Sequence, residues 1–110
     1  MAYTLVPDSY NDFMRAATVV IADGEVNSDN IPNCGVGYGS FQIPAAITGT
    51  TIQPQFSNDG INFTAVGGAI SVAADGMYQI PAACFDARFF RLVSNGAEGA
   101  ARTLTVFLRR

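Results

Sequence analysis

The stretch Thr50-Thr51-Ile52-Gln53-Pro54-Gln55-Phe56-Ser57-Asn58-Asp59-Gly60-Ile61-Asn62-Phe63-Thr64 constrains the fold most. Thr50, Ile52, Pro54 and Phe56 share one face, while Thr51, Gln53, Gln55 and Ser57 share the other. A period of two is the mark of a half-buried strand. Asn58-Asp59-Gly60 then reverses the chain, because these residue types tolerate the positive φ of tight turns. Ile61, Phe63 and Ala65 resume the alternation, which predicts a β-hairpin with its return strand starting at Ile61.

Other segments repeat the pattern. Ala17-Thr18-Val19-Val20-Ile21 is β-branched and stops at Ala22-Asp23-Gly24-Glu25, a turn. Asn27 to Asn33 is polar and loop-like. Phe41 and Ile43 then alternate with Ser40 and Gln42, among glycines that predict irregular or bulged edges. Ile70 and Val72 share a face before Asp75-Gly76, and Met77-Tyr78-Gln79-Ile80 follows, which predicts another hairpin. Pro81 to Ala87 reads as a loop or one helical turn. Arg88 to Val93 reads as a strand, turned by Ser94 to Gly99 into Arg102 to Leu108. About eight strands with turns between them predict an antiparallel sandwich or barrel.

The length of 110 residues allows one domain with a sufficient core, and 49% apolar against 14% charged residues excludes intrinsic disorder. So few charges predict a surface given over to partners. The net charge is −3, with no Lys and no His, so no basic stripe exists to neutralise phosphates, and no nucleic-acid partner is expected. No apolar run approaches membrane-span length, and Met1-Ala2-Tyr3-Thr4 lacks the blocks of a signal peptide. The expectation is a protein made and assembled in a cytosol, away from membranes. Cys34 and Cys84 then read as two small buried thiols; a bridge would need them adjacent in space.

The front of the chain carries one candidate helix, where Pro7-Asp8-Ser9 would cap Tyr10-Asn11-Asp12-Phe13-Met14-Arg15-Ala16; the alternative is an extended arm reaching a neighbour. The expected organisation is an arm or short helix over 1–16 and a β-sandwich over 17–110.

Catalytic constellations are hard to assemble from these residues. Without His there is no Ser-His-Asp or Cys-His pair and no imidazole metal ligand. Asp23, Asp59 and Asp75 precede Gly in turns, where acids serve structure more often than glycosidase chemistry. Asn27-Ser28-Asp29-Asn30 and Asn58-Asp59 do not match an EF-hand ladder, and Gly35-Val36-Gly37-Tyr38-Gly39 lacks the Lys and helix of a phosphate loop. The expectation is no enzyme, no metal and no cofactor. What the pattern does offer is outward-facing apolar residues. If Phe90 and Leu92 point in, then Phe89, Arg91 and Val93 point out; if Leu104, Val106 and Leu108 point in, Phe107 points out. Such residues are covered by the domain's own loops or by a partner, and an oligomer is the expectation.

The segments Thr18 to Glu25, Phe41-Gln42-Ile43-Pro44-Ala45-Ala46, Gly49 to Gly60, Arg88 to Ser94 and Ala101 to Val106 together resemble small virion proteins of tailed bacteriophages, over roughly residues 17–108. The resemblance implies a jelly-roll-like sandwich serving as a capsid decoration or cement protein. It also implies a homo-oligomer, dimer or trimer, on the capsid surface, partnered by the major capsid protein or another virion protein. Phe89, Arg91 and Phe107 are the candidates for a subunit contact. Tyr10, Phe13 and Met14 are the candidates for a contact with shell or neighbour. Similar Ser-x-Asp-Gly hairpins occur in carbohydrate-binding sandwiches. The competing expectation is therefore a sugar-binding module of a tail fibre or spike, with Tyr10, Tyr38 or Tyr78 stacking on a pyranose.

Overall fold

Alternating segments of the sequence are strands in the structure, a computed structural model that describes residues 4–5, 14–33 and 36–110. The strands are β1 (Thr4–Leu5), β2 (Met14–Ile21), β3 (Ile31–Pro32), β4 (Tyr38–Gln42), β5 (Thr51–Ser57), β6 (Thr64–Ala65), β7 (Ile70–Ser71), β8 (Met77–Gln79), β9 (Phe89–Ser94) and β10 (Arg102–Arg109). A 3-10 helix covers Ala82–Asp86, where the sequence predicts a loop or one helical turn.

The strands form two antiparallel sheets. The first runs β1-β2-β10-β4-β8; the second runs β3-β9-β5-β6, with β7 beside β5 as well. The order has a simple logic. β2 pairs with β10, β3 with β9, β4 with β8, and β5 with β6 and β7, so the chain doubles back on itself as one long ribbon. Rolling that ribbon brings β10 beside β4 and β9 beside β5. This is the jelly-roll arrangement, two Greek keys packed as a sandwich.

Two consequences correct the sequence reading. Asp75-Gly76 does not close a hairpin, because β7 pairs in the second sheet and β8 in the first. It carries the chain across the sandwich, with Asp75 at φ 62°. Within the β5–β6 hairpin, the return strand starts at Thr64 rather than Ile61. The cause is Asp59, whose Oδ1 accepts from the N–H groups of Ile61 and Asn62 at 2.9 and 2.8 Å and keeps both off the ladder. These two backbone bonds, with further bonds from Ser57 Oγ and the Asn62 side chain, hold the Asp59 carboxyl well below the usual range. Ile61 is left 79% exposed.

β2 also starts earlier than expected. Met14, Arg15 and Ala16 pair with Arg109, Leu108 and Phe107, so they are strand and not the end of a helix or arm. Tyr10 and Phe13 lie outside the described residues, as does Cys34, the possible partner of Cys84 in a bridge.

The core lies between the sheets. Ala17, Val19 and Ile21 of β2, Leu104, Val106 and Leu108 of β10, and Phe41 of β4 face Ile52 of β5 and Phe90 and Leu92 of β9. Each large buried side chain contributes about 1.5–3 kcal/mol of transfer free energy. Phe85 of the 3-10 helix meets Phe90 edge-on at 5.3 Å. Cys84 is buried beside it, and burial pushes its thiol up to about 12, which leaves it unreactive as a nucleophile.

Pro54 sits inside the second sheet, where a missing N–H should interrupt pairing. Its carbonyl accepts from Val66 N on the β6–β7 side, so the absent N–H belongs to that side too. There the partner strand is broken between β6 and β7. The Gln53 amide fills the break by donating to Val66 O at 3.2 Å and Gly67 O at 3.3 Å.

One end of the sandwich is tied by a carboxylate. Glu98, 1% exposed, lies between β9 and β10. Its Oε1 accepts from Thr48 N at 2.8 Å and Arg102 Nε at 3.0 Å, and its Oε2 from Gly49 N at 2.9 Å and Ser94 Oγ at 2.8 Å. Burial alone would raise this carboxyl, but the four donors outweigh it and hold it at about 2. Gly49 is required because a Cβ there would strike Ser94 Oγ. The clamp joins loops from both sheets.

Candidate functional site

Alternation in β10 sends Thr103, Thr105, Phe107 and Arg109 to the outer face of the first sheet. Register then sets their neighbours. Phe107 stands between Ala16 of β2 and Ser40 of β4, and Ser40 stands beside Gln79 of β8. One row further, Arg109 is opposite Tyr38. These residues surround an open groove of about 450 Å³, lined by Tyr38, Gly39, Ser40, Met77, Gln79, Phe107 and Arg109. Tyr38 is 59% and Met77 56% exposed, so the groove has an apolar floor and two apolar rims open to solvent. Arg109 is the one charged residue among the described residues of its lining.

The outer face of the second sheet is built differently. β9 sends Phe89, Arg91 and Val93 outward, each half-buried, as alternation predicts. The Arg91 guanidinium lies over the Phe63 ring at 3.9 Å, and its Nε donates to Gln55 Oε1 at 2.9 Å. Burial draws the Arg91 pKa down. Phe63 reaches this position because the Asp59 turn folds residues 58–63 back toward β9, where Asn58 Oδ1 accepts from Arg88 N. Arg88 in turn lies over Phe89 at 5.7 Å.

Phe89, Arg91 and Phe107 therefore do not form one patch, because Phe107 belongs to the first sheet's outer face and the other two to the second's. Met14 begins β2, at the Arg109 end of the first sheet. Of the tyrosines considered for sugar stacking, Tyr78 is turned inward against Phe41 at 5.7 Å, and its hydroxyl accepts from Ala73 N at 2.9 Å. Its ring is not offered to a ligand. Tyr38 is.

Sequence reasoning missed Met77, Gln79 and Ser40 as groove residues and Phe63 and Gln55 as the support of Arg91. The signal for the first group was outward parity in β4 and β8. It becomes usable only once β8 is known to pair with β4, a partnership about 40 residues apart that no local turn announces. Among the described residues, no three His, Cys, Asp or Glu side chains converge as a metal site. The groove and the Arg91 platform are binding geometry: apolar area, ring faces and hydrogen-bond donors. No protein-family model matches the chain, and no curated protein does.

Proposed function

We propose that the protein is a structural component of a phage virion: a decoration or cement protein that self-associates and docks on the shell through the outer face of the first sheet. The groove around Phe107 carries this reading, because exposed rings and a thioether flanking an apolar floor gain free energy only when another surface covers them. The jelly-roll order supports it at the level of architecture, since double-sheet jelly rolls recur in viral capsid domains; fold alone does not specify function. Mechanically, a shell under outward pressure from its packaged genome needs a rigid body that spans neighbouring subunits. A contact of standard size, about 1,600 Å² in total, repeated over many copies, resists separation through multivalency. The major capsid protein, or another virion protein, is the proposed partner. Heating particles from a strain lacking the gene tests this. The reading expects them to lose their genome at a lower temperature than parental particles and to regain resistance when purified protein is added. Equal resistance with and without the protein would refute it.

A second reading has its own observation. Tyr38 presents a ring beside Ser40, Gln79 and Arg109, the mixture of stacking face and donors that suits a saccharide. A glycan array with hits that disappear in Tyr38→Ala would favour a sugar-binding module; no hits would dispose of it.

A further inference from the structure

Arg91 holds a charge on the broad face of the second sheet with no carboxylate beside it among the described residues. Phe63 fixes the plane of the guanidinium and Gln55 fixes its Nε edge, so the group is oriented before any ligand arrives. Arginine only donates, so Gln55 must turn its oxygen toward Nε; its Nε2 then faces away as a further donor. Neither the Arg91 Nη atoms nor Gln55 Nε2 has a hydrogen-bond partner among the described residues. The cluster offers donors and no acceptor. Its matching ligand is an acceptor-only, planar group that takes two parallel N–H bonds, which is a carboxylate.

The same chain supplies such groups. Asp23 and Glu25 are exposed on one tight turn, and neither side chain has a partner among the described residues. Backbone bonds tie the turn in place: Gly24 has φ +80° and donates to Glu98 O at 2.8 Å, and Glu25 N donates to Ala22 O at 3.0 Å. Asp75 and Asp86 are exposed singly, and the Asp59 carboxylate is engaged by its own turn. We infer that Arg91 and Gln55 form a carboxylate-docking site that receives the Asp23–Glu25 turn of a second copy of this chain. The turn projects from an end of the sandwich and Arg91 lies on its broad side, so the contact is head-to-tail and closes into a ring where the rotation allows. The inference deepens the proposed self-association and leaves the shell-facing groove out of the contact.

Sedimentation velocity over a range of concentrations tests it, on the full chain, at low and high salt. Wild type is expected to associate, less strongly at high salt. Arg91→Gln, Arg91→Lys and the double variant Asp23→Asn/Glu25→Gln should each weaken association at least about tenfold, with unchanged circular dichroism. An equimolar mixture of Arg91→Gln with the double variant should form a 1:1 dimer, because one intact contact remains between them. Monomeric wild type at every concentration, undiminished association of both Arg91 variants, or a mixture that stays monomeric would overturn the inference. So would a monomer whose Arg91 responds to a uronic-acid oligosaccharide in NMR titration. If association fails in any of these ways while particle protection persists, the shell-binding role stands and only this contact falls.

Discussion

The two broad faces of the sandwich treat their outward apolar side chains in opposite ways. On the second sheet the chain covers its own: residues 58–63 fold back so that Phe63 lies under Arg91, and Arg88 shields Phe89. On the first sheet nothing among the described residues covers Tyr38 and Met77, and a groove stays open over Phe107. Strand alternation assigns a side chain to a face. Whether that face is covered depends on loops that arrive from elsewhere, and here the β5–β6 loop packs Phe63 onto one face, while among the described residues no loop covers Tyr38 and Met77 on the other.

The strongest way to break this comparison is to loosen both faces together through Glu98. Glu98→Gln places an amide where four donors converge, and we expect a loss of about 3 kcal/mol in urea unfolding. An unchanged midpoint would show that the clamp does not hold the sheets. The wild-type carboxyl sits at about 2 against an ordinary 4.5. Its depressed pKa contributes stability that is fully present above pH 4.5 and is lost as the pH falls toward 2, by about 3 kcal/mol in all. Glu98→Gln should flatten that part of the pH profile.

Single-face substitutions sharpen the contrast. Phe107→Ser should weaken attachment to particles at least about tenfold while changing stability by less than about 1 kcal/mol, since the ring is only half covered. It should leave Arg91-dependent association intact. Phe63→Ala should do the reverse, lowering self-association by about 0.5–1 kcal/mol through the lost stacking and sparing attachment. The smallest effect is expected for Tyr38→Ser, within about 0.5 kcal/mol in stability, because the ring touches little of its own chain.

The all-β class, the inward sets in β9 and β10 and the outward Phe89, Arg91 and Phe107 were legible in the sequence, because a period of two needs no tertiary knowledge. The pairing partners were not. Asp-Gly turns look alike whether they close a hairpin or cross the sandwich, and among the described strands only β1–β2 and β5–β6 are chain neighbours that pair; Asp75-Gly76 was misread for that reason. Glu98 was hidden because a turn acid and a buried clamp share one letter. Its role depends on Gly49, which admits the carboxylate from across the fold.

The central claim is that the open face around Phe107 is what the molecule uses. Quantitative mass spectrometry of gradient-purified particles, assembled with either wild-type or Phe107→Ser protein, tests it most directly. The account predicts many wild-type copies per particle and, for the variant, a fall to about a tenth or less with the soluble protein still folded. Equal occupancy by both proteins, or no wild-type copies on the particles, would contradict it.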